Sequence, residues 1–291
     1  MVRGFWQDET MTSSPTLTFN DGNTIPQLGY GVWQVEDDVA EKVVRQAFEA
    51  GFRHIDTAKI YGNEAGVGRA IASSGLSPEQ IFITTKLWNA DQGYESTLAA
   101  FEESMDRLGL ETLDLYLIHW MQPKQDKYVD TWKALIELQK RGRVKSIGVS
   151  NFTAEGLQRL IDETGVVPAI HQIELHPYFS QRELREFGAA NGILTQAWSP
   201  LGQGGELLQD TTVASIAAKH QATAAQVVIA WHLAIGNVVI PKSVTESRIK
   251  ENFAALEVSL DAQDVEAING LDRTASGEGR IGPDPAVSDF A

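Results

Sequence analysis

The sequence contains no cysteine, and this absence excludes disulfides, catalytic thiols and the thiolate ligands of structural zinc sites. No apolar run approaches the roughly 20 residues that a membrane-spanning helix needs, and the N-terminus lacks the apolar stretch of a signal peptide. Basic residues are also scarce, since 24 lysines and arginines stand against 39 aspartates and glutamates, for a formal net charge of −15. That charge disfavours nucleic acid or an anionic membrane as the main partner. We therefore expect a cytoplasmic protein with neither as its partner.

Neither of two glycine-rich phosphate-binding patterns occurs where it would indicate a nucleotide-binding fold. G-x-G-x-x-G does not follow the first predicted strand, and G-x-x-x-x-G-K-[ST] does not occur. An open, doubly wound sheet, one of the two folds considered for this chain, usually carries the first pattern at that point. Its absence there favours a different arrangement of parallel strands.

What the sequence does contain is a regular alternation of short apolar, β-rich runs with stretches of helical periodicity. The eight predicted strands occupy residues 28–32, 52–56, 81–86, 113–120, 144–151, 169–174, 193–200 and 238–243. Each is a continuous apolar run, as expected of parallel strands that are buried on both faces. Eight such units in 291 residues predict an α/β fold, a closed (β/α)8 TIM barrel.

The N-terminal region precedes this alternation. Residues 16–28 predict a β-hairpin that caps the bottom of the barrel, with Asp21-Gly22 or Gly22-Asn23 in its turn. Residues 1–14 are expected to be a disordered N-terminal extension. Residues 15–291 are then expected to form a single (β/α)8 barrel domain, for which a hydrophobic content of 43% is ample.

Polar and aromatic side chains recur at the ends of the predicted strands, where the βα loops of a barrel begin. They are Asp56, Lys86, His119, Ser150, Asn151, Gln172, Trp198 and Lys242. Because the active sites of TIM barrels lie at this end, we expect these groups to share one mouth. The histidines show no helical i, i+4 pair, so no metal site is predicted.

Tyr61, which lies shortly after Asp56, adds a proton donor to this set. A free tyrosine has a pKa of about 10, and the nearby ammonium of Lys86 is expected to lower it. Tyr61 could then protonate an oxygen atom, while His119 donates a hydrogen bond to a carbonyl. The set supplies no electrons, so carbonyl reduction would need a hydride donor such as nicotinamide. A purely structural ion pair between Asp56 and Lys86 is the alternative.

These motifs resemble those of the aldo-keto reductases from about Leu28 to Arg280, and most closely the bacterial branch that includes the 2,5-diketo-D-gluconic acid reductases. The matching segments, in chain order, are GFRHIDTAKIYGNEAGVG, ITTKLWN, LDLYLIHW, GVSNF, HQIELHP, AWSPLG and IPKSVTESRIKEN. One segment alone would be a weak signal, whereas all of them in the right order are specific. The resemblance implies the same (β/α)8 barrel that the alternation predicts.

The resemblance also implies a role for each matched residue. The catalytic residues are Asp56, Tyr61, Lys86 and His119, with Tyr61 as the general acid. The residues implied to bind the cofactor are Ser150, Asn151, Gln172, Trp198, Ser199, Leu201, Gly202, Gln203, Lys242, Ser243, Val244, Thr245, Arg248, Glu251 and Asn252. The residues implied to line the substrate pocket are Trp33, Trp88 and Trp120, although they could simply fill the barrel mouth.

The implied cofactor is NADPH. Lys242 and Arg248 beside the start of a helix would attract its 2′-phosphate, and their presence in so acidic a chain favours NADPH over NADH. A solvated, charged edge is the alternative for this pair. Ser150, Asn151 and Gln172 would hold the nicotinamide carboxamide, with Trp198 stacked on the ring.

The implied activity is the NADPH-dependent reduction of aldehydes and ketones to alcohols, with keto-sugars and α-dicarbonyls as candidate substrates. Two other functions remain open: a nucleotide-sensing regulatory subunit with little turnover, and an alcohol dehydrogenase that works in the opposite direction. A monomer is expected. Two residues depart from the family pattern, since Met121 stands where proline is common and His171 where asparagine is common.

Overall fold

The computed structural model describes residues 13–290. The predicted N-terminal extension therefore falls largely outside the described residues, and its disorder stays a prediction. The Ser14 hydroxyl oxygen accepts a hydrogen bond from the Leu28 N–H at 2.9 Å. The chain is thus already in contact with the barrel at Ser14, one residue before the predicted boundary.

The regular elements follow the predicted alternation. The strands are β1 Thr16–Thr18, β2 Thr24–Pro26, β3 Tyr30–Gly31, β4 His54–Asp56, β5 Phe82–Leu87, β6 Leu113–Ile118, β7 Val144–Ser150, β8 Ile170–Glu174, β9 Leu194–Trp198 and β10 Val238–Val239. The α-helices are α1 Asp37–Ala50, α2 Glu64–Ser73, α3 Tyr94–Leu108, α4 Tyr128–Lys140, α5 Ala154–Thr164, α6 Arg182–Ala190, α7 Thr211–His220, α8 Ala224–Ala234, α9 Glu246–Phe253 and α10 Ala262–Asn269.

Strands β3 to β10 form one sheet in chain order, and every neighbouring pair is parallel. The two ends of this sheet meet, because Leu28, just before β3, forms a parallel bridge with Val239 of β10. The Gly29 N–H also donates to the Val239 carbonyl oxygen at 2.9 Å. The sheet closes on itself, which confirms the predicted (β/α)8 barrel and excludes the open doubly wound sheet.

Apolar burial explains why these runs form the barrel wall. Every residue of β5, β6 and β8 is buried, so each side chain packs either inside the barrel or against the helices. Burying one valine, leucine or isoleucine side chain contributes about 1.5–3 kcal/mol. Helix α1 buries one face, with Val43, Val44 and Ala47, whereas α8 buries six consecutive residues from Val227 to His232. Helix α1 ends at Gly51, whose φ of 114° favours glycine and lets the chain turn back toward β4.

The antiparallel hairpin β1–β2 covers the N-terminal ends of the barrel strands, as predicted. Its Phe19 and Ile25 are buried in one apolar cluster with Phe82 at the start of β5. The Asn20 Nδ2 donates to the carbonyl oxygen of Pro168, two residues before β8, at 3.0 Å. The hairpin therefore closes the end of the barrel opposite the predicted active site.

Helix α10 is the main element that the sequence did not predict. Only Val265 and Ile268 are large and apolar within it, so its periodic signal is weak. Its beginning is set by Asp261, whose side chain accepts hydrogen bonds from the N–H groups of Gln263 and Asp264. No helix among residues 13–290 is long and apolar enough to span a membrane.

Candidate active site

The four predicted catalytic residues converge at the C-terminal end of the barrel. Asp56 is the last residue of β4, Lys86 lies near the end of β5, and His119 directly follows β6. Tyr61 ends a single 3₁₀ turn, Lys59–Tyr61, that follows β4. The ends of three parallel strands and the turn after β4 thus place all four at one mouth, as the spacing of the strand ends predicted.

Lys86 is a fully buried ammonium that makes three hydrogen bonds. Its Nζ donates to Asp56 Oδ1 at 2.5 Å, to the Thr57 carbonyl oxygen at 2.8 Å and to the Tyr61 hydroxyl oxygen at 3.4 Å. A buried charge is tolerated only when it is paired and hydrogen-bonded, and Asp56, itself 1% exposed, supplies the opposite charge. The carboxylate thus fixes the ammonium where it can donate to the tyrosine oxygen.

Burial dominates the acid–base properties of this set. It raises the pKa of Tyr61 overall, although the Lys86 ammonium acts in the opposite direction. The prediction of a lowered Tyr61 pKa is therefore wrong, because losing solvent around the phenolate outweighs the nearby positive charge. Burial alone lowers the pKa of Lys86, but Asp56 and Tyr61 raise it overall, so the ammonium persists. Burial raises the pKa of Asp56, and hydrogen bonds from Lys86 and Gln172 oppose that shift.

His119 faces Tyr61 across the mouth. The two ring centroids are 5.6 Å apart at an interplanar angle of 77°, and the Trp88 ring lies 5.4 Å from His119 on another side. Burial, and then the charge of Lys86, holds the pKa of His119 well below its usual value, so the ring is neutral near pH 7. A neutral imidazole donates one N–H, so His119 can form a hydrogen bond to an oxygen acceptor but not an ion pair.

The residues predicted to hold the nicotinamide carboxamide lie beside this set. Asn151 Nδ2 donates to the His119 carbonyl oxygen and to Ser150 Oγ, both at 2.9 Å. Trp198 Nε1 donates to Asn151 Oδ1 at 2.8 Å, which fixes the indole at the end of β9. Because both amide hydrogens of Asn151 are in use, a ligand amide could interact only with its oxygen.

Gln172 makes a contact that the sequence did not reveal. Its Nε2 donates to Asp56 Oδ2 at 2.7 Å, deep inside the barrel mouth. The sequence placed Gln172 with the cofactor alone, because a strand end says nothing about which neighbour a long amide will reach. The Asp56 carboxylate therefore receives one hydrogen bond on each oxygen, one from Lys86 and one from Gln172.

The loop after β9 carries the next predicted cofactor residues. Ser199, Gly202 and Gln203 all have positive φ angles, of 48°, 58° and 55°. Such angles cost free energy for serine and glutamine and are typical of functional loops. Leu201 and Gly202 are half-buried and Gln203 is exposed, so their backbone can be reached by a ligand.

The last predicted cofactor group lies around the start of α9. Lys242 and Arg248 are exposed, and neither has a carboxylate oxygen within 4.0 Å among residues 13–290. Thr245, the residue before the helix, makes no side-chain capping hydrogen bond, so the first N–H groups of α9 stay available to an anion. Ser243 and Val244 lie between Lys242 and the helix, and Val244 is 50% exposed.

Glu251 and Asn252 lie on α9 itself and differ in accessibility. Glu251 Oε1 accepts a hydrogen bond from Thr223 Oγ1 at 2.8 Å, so its carboxylate already ties α9 to α8. Asn252 is only 3% exposed. The Glu251 contact does not exclude a ligand, but it shows that this residue also holds two helices together.

Two of the three predicted pocket tryptophans meet at an aromatic residue that the sequence did not identify. Phe290 lies between Trp88 and Trp120, with ring centroids 6.1 and 5.0 Å away. Its carbonyl oxygen also accepts a hydrogen bond from Asn89 Nδ2 at 2.9 Å. Trp33 lies two residues after β3, has no ring contact with these residues, and is 43% exposed. The C-terminal tail has no periodic pattern, and the only signal for Phe290 was an aromatic residue in a polar segment.

Comparisons with known proteins show what the chain as a whole is similar to. A model described as the aldo/keto reductase family matches residues 26–273. An aldo-keto reductase of Mycolicibacterium smegmatis is 54% identical over 277 residues, which cover 95% of this chain and 99% of that protein. The methylglyoxal reductase DkgA of Salmonella typhimurium is 50% identical over 276 residues, covering 94% and 98%. The crystal structure of a Gox0644 mutant in complex with NADPH has a TM-score of 0.91 and 51% identity, covering 96% of this chain and all of that one.

Proposed function

Because the chain belongs to the aldo/keto reductase family, we propose that it reduces small aldehydes and ketones, α-dicarbonyls above all, to alcohols with NADPH. The observation that carries the proposal is the Lys86 ammonium, held by Asp56 and directed at the Tyr61 hydroxyl oxygen. The relative named as a methylglyoxal reductase and the structural neighbour solved with NADPH support the substrate class and the cofactor.

The chemistry of the donor set fits NADPH. Lys242 and Arg248 lack carboxylate partners in the described chain and flank open N–H groups of α9, which suits a 2′-phosphate. The accessible backbone of residues 201–203 suits a pyrophosphate. The Asn151 oxygen suits a carboxamide, and the Trp198 ring, fixed by its hydrogen bond to that oxygen, offers a flat surface for the nicotinamide.

NADPH, when bound, would supply a hydride to the carbonyl carbon, and the protein's own groups act on the oxygen. Tyr61 keeps its proton at neutral pH because burial raises its pKa, and it is therefore ready to donate to an oxygen that gains negative charge. Lys86 stabilises the phenolate that remains, since its Nζ already donates to that oxygen. Neutral His119 orients the carbonyl with its single N–H.

The pocket walls suit a small and partly apolar substrate. Trp88, Trp120 and Phe290 enclose one side of the mouth with aromatic surface, while Tyr61 and His119 present polar groups. A compact dicarbonyl satisfies both requirements, because one carbonyl can be held while the other reacts. Keto-sugars remain candidates that the same panel of substrates would test. The cytoplasmic location, the monomeric state and the single-domain organisation stay predictions.

The test is a turnover assay with purified protein, in which loss of nicotinamide absorbance is followed for methylglyoxal, aromatic aldehydes and keto-sugars. We expect turnover with NADPH that greatly exceeds turnover with NADH, and the highest kcat/KM for a dicarbonyl. Tight NADPH binding with no turnover on any carbonyl would contradict the proposal and favour the nucleotide-sensing alternative.

A further inference from the structure

Glu174 is a buried carboxylate that no step of the proposed reaction uses. It ends β8, two residues after Gln172, and is 2% exposed. Its two oxygens accept hydrogen bonds from the backbone N–H groups of Ile281 at 2.6 Å and Gly282 at 2.7 Å. His176 Nε2 lies 3.2 Å from the same carboxylate. A buried carboxylate at the active-site mouth is thus bonded to the C-terminal tail, more than a hundred residues further along the chain.

The tail segment bound by Glu174 also lies on the tryptophan proposed to stack on nicotinamide. A Cβ atom built on Gly282 would come 2.6 Å from Trp198 Cη2 and 2.9 Å from Glu174 Oε2. No larger residue could lie flat against both groups without displacing one of them. Gly282 does not have a positive φ, so the glycine is required here by close approach and not by backbone conformation.

The same tail continues to the proposed substrate pocket. Eight residues beyond Gly282, Phe290 packs between Trp88 and Trp120. The flanking Asp289 makes only an exposed ion pair with Lys124, which contributes little. The contact at Glu174 holds the tail more firmly than this ion pair does, because it is buried and its hydrogen bonds are charge-assisted.

We propose that Glu174 is a positioning residue whose contact with Ile281 and Gly282 fixes the tail, so that Phe290 narrows the substrate pocket and favours small carbonyl compounds. The inference rests on the proposed function for its substrates, while the contact itself can be tested without turnover. Losing the contact loosens Phe290 in the mouth, because Phe290 itself is held there by one backbone hydrogen bond and aromatic packing, and its neighbour Asp289 by one exposed ion pair.

The competing explanation is that Glu174 only stabilises the turn between β8 and α6. The Gln181 side chain does bond to Glu174, but it donates to the backbone carbonyl oxygen, which any residue at this position supplies. The carboxylate itself accepts two N–H groups of the tail, and its other contact is with His176 Nε2 at 3.2 Å. Replacing it with an amide leaves one acceptor and places an NH₂ group against a backbone N–H, which loosens the tail but leaves the turn intact.

Trypsin offers a direct readout, because the N–H of the Arg280–Ile281 peptide bond is itself one of the two donors to Glu174. Cleavage there requires the tail to leave Glu174 and the Arg280 guanidinium to leave the Phe179 ring, 4.7 Å away. We expect Glu174→Gln and Gly282→Ala each to speed cleavage at this bond by about tenfold, the scale of one lost hydrogen bond to a charged group. Their double variant should be no faster than the stronger single one, because both disrupt the same contact.

Kinetics on the same variants test the effect on selectivity. With Glu174→Gln, the kcat/KM ratio of methylglyoxal to a bulky aromatic aldehyde should fall roughly tenfold, mainly through KM, as expected for losing one apolar wall. Phe290→Ala should reproduce this shift without speeding cleavage after Arg280. Glu257→Gln, an exposed carboxylate outside the site, should change neither quantity.

The outcomes separate the two proposals. Unchanged cleavage after Arg280 in both Glu174→Gln and Gly282→Ala, in protein with a normal thermal transition, overturns the role of Glu174. Faster cleavage with an unchanged substrate ratio overturns the link to Phe290. If the parent protein turns over no carbonyl at all, the proposed function fails, yet the cleavage rates still decide whether Glu174 holds the tail.

Discussion

Gln172 Nε2 donates a hydrogen bond to Asp56 Oδ2 at 2.7 Å, although 116 positions separate the two residues in the chain. The other oxygen of the same carboxylate accepts a hydrogen bond from Lys86. One residue of the proposed cofactor site and one of the proposed proton-transfer site therefore meet on a single buried carboxylate. Asp56 connects two groups that the sequence treated as separate.

A Gln172→Leu variant should show this connection. It removes a donor from a buried carboxylate, so we expect kcat at saturating NADPH to fall about three- to tenfold, in addition to weaker NADPH binding, since one buried hydrogen bond is worth about 1 kcal/mol. NADPH affinity is measured by fluorescence titration and kcat by steady-state kinetics. An unchanged kcat at saturation would limit Gln172 to the cofactor.

Tyr61→Phe tests the proposed proton donor. The hydroxyl makes one long hydrogen bond, from Lys86 at 3.4 Å, so the variant should fold normally and bind NADPH as before. We expect kcat to fall by about 10²- to 10⁴-fold, the usual contribution of a positioned general acid. The matched control is Tyr94→Phe on the surface of α3, which should retain full activity. Near-normal turnover of Tyr61→Phe would require another acid.

The pattern of apolar residues along each segment accounts for most of what the sequence predicted correctly. The strands were recognisable because parallel strands buried on both faces are apolar throughout, and their ends gave Asp56, Lys86 and His119. Helix α10 was missed because it buries few large residues. The predicted direction of the shift in the Tyr61 pKa was also wrong. The pattern of strands places Lys86 near Tyr61, but it does not show how deeply Tyr61 is buried.

Contacts made by irregular segments could not be predicted from the sequence. Phe290 and Gly282 belong to a tail with neither strand nor helix periodicity, and their partners lie in other parts of the chain. Glu174 stood inside a recognised motif, but the motif did not indicate what the carboxylate binds. Such contacts depend on how the closed barrel brings loops together, which is a property of the tertiary structure.

Removing the two cations near α9 should change cofactor preference. Lys242→Met and Arg248→Met should each weaken NADPH binding by about 10- to 100-fold, the value of a charge-assisted hydrogen bond, and should leave NADH binding nearly unchanged. Lys250→Met on the same helix is the control, because Lys250 is already paired with Glu246 at 2.6 Å and should not affect the preference. Equal losses for NADPH and NADH would mean that the cations act on the helix and not on a 2′-phosphate.

Buried histidines should make the protein sensitive to acid. Burial lowers the pKa of His54, His171 and His232 to about 3 each, whereas an unfolded histidine titrates near 6.5. Between these values the unfolded chain binds more protons than the folded one. Stability is therefore highest above about pH 6.5 and falls as the pH decreases toward 3, by about 2 kcal/mol per histidine between pH 7 and pH 5.

His171→Asn isolates one of these contributions. His171 Nε2 accepts a hydrogen bond from the Phe152 N–H, and asparagine offers an oxygen acceptor that does not titrate. The variant should lose some free energy of unfolding at pH 7, but its further loss between pH 7 and pH 5 should be about 2 kcal/mol smaller than in the parent protein. Val149→Ala, on the residue of β7 paired with His171, should cost the same at both pH values. Urea unfolding at the two pH values measures this, and equal pH dependence of His171→Asn and the parent would show that His171 does not oppose folding in acid.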